Sequence, residues 1–263
     1  MSARLQAVFA KDRPAFVAYI MGGDPDLQAS QRVMSALPGA GVDIIELGFP
    51  FTDPMADGPV IEEAGIRARQ SGTTLQSVIG MAARFRVSDT DTPIILMGYA
   101  NPVYHMGYAA FAEAAEAAGV DGAIIVDLPP EEDGPLRAEM DKRGRYLIRL
   151  ATPTTDAARL PKVVAGSSGF VYYVSMTGVT GGALEQSGSV AEQVSHVRDA
   201  ARLPVVVGFG VKTPDRAAQI AEVADGVVVG SAIVRTLHED GEDAALALVR
   251  SLAEATHAKS RNR

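Results

Sequence analysis

The chain alternates between short apolar runs and longer segments in which apolar residues recur at helical spacing. The apolar runs are rich in Val, Ile and aromatic residues and are mostly continuous, which is typical of strands covered on both faces of a parallel sheet. Eight such runs lie at 15–21, 43–47, 93–99, 122–128, 145–150, 169–175, 204–210 and 225–231.

Helical patterns separate these runs, for example at 27–41, 111–122, 131–144 and 213–226, and one or two helices follow after 231. Thr213 and Pro214 are a suitable N-cap and first helical residue. The alternation predicts an α/β fold, a (β/α)8 TIM barrel formed as one domain by residues 1–263, with an extra N-terminal helix. An open doubly wound sheet is the competing fold, but the "GGDPD" that follows the first strand does not match its G-x-G-x-x-G turn.

The segment after the second strand is too long for one loop and one helix. It predicts a long loop that begins at Phe51, then a helix near 65–72 and another near 75–86. Loops that follow strands carry the chemistry of barrels, so this loop is a candidate part of an active site.

Composition narrows the possible functions. A net charge of −8 disfavours binding to nucleic acids or to anionic membranes, and the absence of cysteine excludes disulfides and thiolate catalysis. The first 16 residues do not resemble a secretory signal, and no apolar run approaches the ~20 residues that a membrane span requires. We therefore expect a cytoplasmic protein.

Carboxylates cluster around the end of the second strand, in the stretch "IELGFPFTDPMADGP". Strand alternation places Glu46 on the same face as Ile44, toward the barrel mouth, where lost solvation would raise its pKa. Asp57 follows in a loop whose backbone conformation is restricted by prolines, and Gly58 allows this loop to turn sharply. The alternative is structural: Glu46 in a salt bridge, and Asp53 and Asp57 as ordinary turn residues.

Glycine-rich loops follow the sixth, seventh and eighth strands, at 175–183, 208–214 and 229–234. Backbone N–H groups of such loops, together with a helix N-terminus, can bind a phosphate, and this is the common place for phosphate in barrels. The alternative is that the glycines only end strands. The four histidines are dispersed without metal-ligand spacing, and no lysine except Lys212 is placed for Schiff-base chemistry.

These motifs together resemble those of the tryptophan synthase alpha subunit family. The resemblance rests on "IELGFPFTDPMADGP" and extends through "GGDPD", "YANPVYHMG", "DLPPEE", "SMTGVTG", "GFGVKTP" and "GSAIV". It implies a lyase that cleaves indole-3-glycerol phosphate to indole and glyceraldehyde 3-phosphate. It further implies no cofactor in this chain and a beta subunit partner, which carries pyridoxal phosphate, in an α2β2 complex.

The resemblance also implies roles for individual residues. Glu46 and Asp57 would be catalytic, and Thr180 would help to close the site. The remaining positions would bind phosphate (Gly181, Gly210, Gly230, Ser231), form the indole pocket (Tyr19, Ile61, Met97, Asp127, Tyr172, Phe209) or face the beta subunit (Asp53, Pro54, Asn101). Two positions depart from the family pattern: Met176 stands where many members have arginine, and Tyr19 where phenylalanine is frequent. A stand-alone lyase, another phosphate-binding barrel enzyme and a mainly activating subunit remain alternatives.

Overall fold

Nine parallel strands form one sheet in the structure, a computed structural model that describes residues 2–155, 158–174, 190–208 and 210–261. The strands are β1 (Ala15–Met21), β2 (Ile44–Gly48), β3 (Ile94–Gly98), β4 (Gly122–Ile125), β5 (Tyr146–Leu147), β6 (Arg149–Ala151), β7 (Val171–Val174), β8 (Val205–Gly208) and β9 (Gly226–Val229). Each of the eight predicted runs overlaps at least one of them.

The sheet closes on itself at the fifth predicted run. The strand order is β5-β4-β3-β2-β1-β9-β8-β7-β6, so β5 and β6 are its two edges, yet only Ile148 separates them in the chain. β5 pairs with β4 and β6 pairs with β7. The predicted single strand is therefore divided into two because it changes neighbours midway, and the eight-fold barrel prediction is confirmed.

Twelve α-helices surround the barrel within the described ranges. They are α1 (Ala3–Ala10), α2 (Leu27–Ala36), α3 (Pro59–Gln70), α4 (Leu75–Arg86), α5 (Ala100–Met106), α6 (Tyr108–Ala117), α7 (Gly134–Lys142), α8 (Leu160–Val164), α9 (Val190–Ala201), α10 (Pro214–Ala221), α11 (Ser231–Glu239) and α12 (Glu242–His257), and a 3-10 turn covers Pro38–Ala40. The two helices predicted after the second strand are α3 and α4, and they follow a loop at 49–58.

Local capping explains where several helices begin. The Asp26 side chain accepts hydrogen bonds from two backbone N–H groups at the start of α2, and Thr74 and Ser77 form a reciprocal capping box on α4. Thr213 accepts from the N–H of Arg216, and Pro214 occupies the first helical position of α10. The cap predicted for that helix is confirmed.

In the part of the chain that is described, no helix is both long and apolar enough to cross a membrane.

Two apolar layers form the core. The inner layer fills the barrel with residues such as Val17, Ile44 and Ile95, and α1 closes its N-terminal end with Leu5 and Val8. The outer layer lies between the strands and the helices, and its members include Ile45 and Leu47. The inward and outward sides of β2 therefore alternate as predicted.

Three buried aspartates bind the N-terminal ends of the strands together. Asp43, Asp121 and Asp225 each precede a strand, and each accepts a hydrogen bond from the backbone of an adjacent strand, namely from Phe16, Ile94 and Val205, at 2.8–3.0 Å. Each also pairs with at least two basic side chains. We call these three residues the aspartate ring. The ring stabilises the end of the barrel opposite to the end where barrel enzymes carry their chemistry.

Candidate active site

A cavity of about 340 Å³ opens at the C-terminal ends of the strands. It is lined by side chains from β1, β2, β3 and β7, by the loop after β2 and by the first turn of α11. The predicted site residues that line it are Tyr19, Glu46, Asp57, Ile61, Met97, Tyr172, Gly210, Gly230 and Ser231. The structure thus brings together the acid pair and two of the glycine loops.

Glu46 is a buried carboxyl group without a partner. The residue is 2 % exposed, and neither carboxyl oxygen has a hydrogen-bond partner among the described residues. Burial raises the pKa of Glu46 to about 8, because an ionised carboxylate loses hydration in this setting. The salt-bridge alternative for Glu46 therefore finds no support in these residues, and the side chain is suited to exchange a proton near neutral pH.

Asp57 is held over the same cavity by its loop. Its backbone N–H donates to the Pro54 carbonyl at 2.9 Å, and the Tyr99 hydroxyl hydrogen-bonds to its carboxyl group. Tyr99 also accepts from the backbone N–H of Ala56 at 3.1 Å, and its ring stacks on Phe51 with centroids 5.4 Å apart. Tyr99 therefore fixes the loop after β2 against the end of β3.

The two acids differ in their environment. Burial raises the pKa of Asp57 to about 6, the hydrogen bond from Tyr99 opposes this rise, and the Glu62 carboxylate adds to it. Glu46 has only the burial effect, and its pKa lies higher. Between the two pKa values, Asp57 is ionised while Glu46 keeps its proton, which is the division of roles that an acid and an electrostatic stabiliser require.

Two tyrosines form walls of the cavity. Tyr19 and Tyr172 are 7 % and 8 % exposed, and burial together with the Glu46 carboxylate raises the pKa of both hydroxyls well above its usual value. A Cβ atom built on Gly48 would lie 2.2 Å from the Tyr19 hydroxyl, and one built on Gly208 would lie 2.2 Å from the Tyr172 hydroxyl. Glycine at these strand ends therefore leaves room for the phenol groups.

The far end of the cavity is rich in hydrogen-bond donors. Helix α11 begins at Ser231, and its N-cap, Gly230, offers no side-chain acceptor to the N–H groups of the first turn. Gly210 adopts a positive φ of 75°, which L side chains rarely adopt. Lys212, in the loop that contains Gly210, and Arg235, one helical turn after Ser231, also line the cavity. The donors and the positive charge make this end suitable for an anion such as a phosphate.

Other predicted positions lie outside this cavity or outside the described ranges. Asp127 lines a second cavity of about 250 Å³ and accepts a hydrogen bond from the Ala100 N–H at 2.7 Å. Asp53 in the loop after β2 and Asn101 in α5 are exposed, and Pro54 in the same loop is partly buried; we call these three residues the rim. The remaining predicted positions, Thr180, Gly181 and Phe209, fall among the residues that the structure does not describe, as does Met176.

Two residues of the site did not emerge from the sequence. Tyr99 directly follows β3, in "MGYANP", and this position at the C-terminal end of a strand could have indicated that it belongs to the site. Arg235 lies four residues after Ser231 on α11, which places both on one helix face. Neither position stands out by residue type alone, because tyrosine and arginine are common in loops and on helix surfaces.

Comparison with known proteins agrees with this geometry. The family described as tryptophan synthase alpha chain matches residues 5–262. The chain belongs to the tryptophan synthase alpha chain family. Members of this family are lyases that act on indole-3-glycerol phosphate, and they need no cofactor of their own, because pyridoxal phosphate is in the beta subunit with which the family is known to pair.

Solved structures of this family have the same fold as the chain. The tryptophan synthase alpha subunit from Legionella pneumophila strain Paris is 39% identical, with a TM-score of 0.90 over 98% of this chain and 100% of that one. Tryptophan synthase from M. tuberculosis is 36% identical, with a TM-score of 0.88 over 97% of this chain and 99% of that one. The resemblance stated from the sequence is confirmed.

Proposed function

We propose that this chain cleaves indole-3-glycerol phosphate to indole and glyceraldehyde 3-phosphate through the acid pair Glu46 and Asp57. One observation carries the assignment to these residues: two carboxyl groups with raised pKa values line one apolar cavity whose other end is rich in anion-binding donors. The family matches support the same activity.

Glu46 moves the proton in this reaction. Its protonated carboxyl group gives a proton to C3 of the indole ring, which makes the ring an electron sink. The resulting carboxylate takes the proton of the hydroxyl on the adjacent side-chain carbon. The O–H electron pair forms the aldehyde C=O bond, the bond between C3 and the side chain breaks, and its electron pair restores the aromatic ring.

Asp57 stabilises the charge that develops on the ring. When C3 is protonated, positive charge develops on the indole nitrogen, and an ionised carboxylate that accepts the N–H hydrogen bond lowers the energy of that state. The Tyr99 hydroxyl and the backbone bond to Pro54 hold Asp57 in place for this contact. An aspartate fixed in advance does not have to reorganise during the reaction.

The rest of the cavity positions the substrate. Ile61, Met97 and the two tyrosine rings provide apolar walls for the indole ring. The N–H groups at the start of α11 and the cations Lys212 and Arg235 receive the phosphate at the other end. Binding at both ends holds the breaking bond beside the carboxyl groups, and Gly181, Phe209 and Thr180 are proposed to complete the site.

An indole-release assay tests this function. The purified chain should release indole from indole-3-glycerol phosphate, and Glu46→Gln should reduce the rate by at least about a hundredfold, because the proton-transfer group is lost. Glu113→Gln changes an exposed glutamate on α6 and serves as the matched control that keeps full activity. Substantial residual cleavage by a folded Glu46→Gln variant would remove Glu46 from this role, and absence of indole with the unaltered chain would refute the function.

We also propose that the rim formed by Asp53, Pro54 and Asn101 contacts the beta subunit in an α2β2 complex. Met55, in the same loop, is 80 % exposed, and Tyr104 on α5 is 72 % exposed, so large apolar groups lie on this rim. Such groups are typical of protein interfaces. Val87, which is 87 % exposed at the end of α4, offers a matched position near the opposite end of the barrel.

Titration of a tryptophan synthase beta subunit with the variants Met55→Asp and Val87→Asp tests the interface. Met55→Asp should weaken binding by about tenfold or more, because a charge would be desolvated, whereas Val87→Asp should bind like the unaltered chain. Equal binding by both variants would place the interface elsewhere. Failure of the unaltered chain to bind, with indole still released, would favour the stand-alone lyase.

A further inference from the structure

The Tyr19 hydroxyl is a polar group on the wall of the cavity with no assigned task. It has no hydrogen-bond partner within the ranges that the structure describes, although the residue is 7 % exposed and lines the cavity. A phenol hydroxyl that faces a functional cavity without a protein partner is available to bond a group inside that cavity.

Tyr19 and Glu46 are neighbours on adjacent parallel strands. Their Cα atoms are register partners in the β1–β2 pair, and both side chains point to the inner face. The Tyr19 hydroxyl occupies the space above Gly48, the next inward position after Glu46 on the same strand. Inward positions on one strand are about 6.6 Å apart, a distance that a glutamate side chain and a phenol hydroxyl can bridge by rotation of the glutamate.

The two groups complement each other in chemistry. Glu46 has two oxygens without a partner among the described residues, and the Tyr19 phenol has one O–H to donate into the cavity. While Glu46 is protonated it has little need of a donor. Once it has lost its proton, an isolated carboxylate at this position is costly, and a hydrogen bond from a neutral donor is worth more to a charged acceptor than to a neutral one.

We propose that Tyr19 is a positioning residue. After Glu46 has given its proton to the substrate, the Tyr19 hydroxyl donates a hydrogen bond to the Glu46 carboxylate that remains. The inference rests on the proposed lyase function. The Tyr19 hydroxyl remains neutral throughout, because burial and the carboxylates of Asp57 and Glu46 raise its pKa well above its usual value.

Other groups face Glu46, but their positions differ from that of Tyr19. Tyr172 on β7 places its hydroxyl above Gly208 on β8, whereas the Tyr19 hydroxyl lies above the strand that carries Glu46. Asp57 has no proton to donate once it is ionised. The cations Lys212 and Arg235 belong to the loop after β8 and to α11, at the phosphate end. Tyr19 is therefore the neutral donor that shares the register of Glu46.

Tyr19→Phe tests this proposal because it removes one oxygen and keeps the ring. Loss of the donor should raise the pKa of Glu46 by about one unit and slow indole release by about tenfold, with KM changed by less than about twofold. In the pH profile of kcat, the decline on the alkaline side should shift to higher pH by about one unit. Tyr146→Phe, which removes a buried hydroxyl that donates to the Ser2 carbonyl at the other end of the barrel, should leave the profile in place.

A measurement without turnover separates this proposal from the lyase function. The unaltered chain should lose unfolding free energy as pH rises from about 4.5 to about 8, because the folded state retains the Glu46 proton. In Tyr19→Phe the unfolding free energy should go on falling for about one more pH unit. When Glu46 is already replaced by Gln, adding Tyr19→Phe should not change the pH dependence of the unfolding free energy.

Two results would overturn the inference. One is a Tyr19→Phe profile whose decline at high pH coincides with that of the unaltered chain. The other is a rise in KM alone, which would make Tyr19 only a wall of the indole pocket. If the unaltered chain released no indole, the lyase function would fail, while the unfolding curves would still show whether Tyr19 pairs with Glu46.

Discussion

At the scale of single residues, the proposed site depends on one carboxyl group, that of Glu46, which has no compensating bonds among the described residues. Asp43 and Glu46 are three residues apart and both are buried. Asp43 has a pKa far below its usual range because, although burial opposes the shift, His257, Arg13, Lys11 and a backbone N–H hydrogen-bond to it. Glu46 has no such partners in the described chain, so its pKa moves in the opposite direction. Environment, not residue type, separates the structural acid Asp43 from the proposed catalytic acid Glu46.

Replacement of Glu46 should therefore stabilise the protein at alkaline pH. An acid whose folded pKa is raised costs stability as pH rises from its unfolded pKa to its folded pKa, here from 4.5 to about 8. Relative to Glu46→Gln, the unaltered chain should lose roughly 3–5 kcal/mol of unfolding free energy between pH 5 and pH 8.5. Urea denaturation across this range is the measurement, and parallel curves for the two proteins would show that Glu46 ionises as it would in water.

The two acids also predict a bell-shaped dependence of kcat on pH. Activity should rise as Asp57 ionises, near pH 6, and fall as Glu46 loses its proton, near pH 8. Asp57→Asn should lower kcat by about a hundredfold or more and abolish the rise on the acid side, since no carboxylate then titrates there. A rise that persisted in a folded Asp57→Asn variant would assign the acid side to another group.

At the scale of elements, helix α11 contributes charge as well as N–H groups. Its first turn lacks a side-chain cap, and Arg235 follows one turn later on the wall of the same cavity. Such an arrangement allows an anion to contact the helix terminus and a guanidinium at once. Met176, which stands where many family members have arginine, falls outside the described residues, whereas Arg235 is a cation of the cavity wall that can contact the substrate phosphate.

Arg235→Met should raise the KM for indole-3-glycerol phosphate by about tenfold and leave kcat within about twofold, because the phosphate is bound equally before and during the reaction. Arg250→Met removes an exposed arginine of α12 and is the control. Inhibition by glycerol 3-phosphate should weaken in parallel with KM. An unchanged KM would show that the N–H groups suffice for phosphate binding.

The elements themselves were largely predictable from the sequence, and their contacts less so. Continuous apolar runs are typical of strands covered on both faces, so the runs that contain β1 and β9 indicated a parallel sheet, and the alternation of eight runs with helices indicated a barrel. The division of the fifth strand at Ile148 was not predictable, because it depends on which neighbour each half meets. Asp127 shows the same limit for the site, since its hydrogen bond to Ala100 depends on packing between β4 and α5.

At the scale of the whole molecule, the two ends of the barrel have different tasks. The proposed chemistry and partner rim lie at the C-terminal ends of the strands, and the aspartate ring lies at the N-terminal ends. Because of this division, the loops at the C-terminal ends of the strands can vary in shape while the aspartate ring at the N-terminal ends keeps the strands in register. Stability and catalysis can therefore be altered separately.

Asp121→Asn tests this separation. Asp121 is fully buried and accepts from Ser2, Arg4, Arg86 and the Ile94 N–H, so loss of its charge should cost about 3–5 kcal/mol of unfolding free energy. The pH dependence of kcat should remain as in the unaltered chain. Asp141→Asn, at an exposed position of α7, is the control and should unfold with unchanged energy. Equal stability of the two variants would argue against the ring.

The aspartate ring also holds both ends of the polypeptide. Asp121 pairs with Ser2 and Arg4 near the beginning, while Asp43 pairs with His257 and Asp225 with Arg261 near the finish. The segments 2–4 and 257–261 are thus bound to the face remote from the cavity. Affinity tags or fluorescent domains attached next to either segment would project away from substrate entry and partner docking. A short peptide joining the two segments, with new ends opened in a loop elsewhere, would give circularly permuted enzymes with an unobstructed cavity.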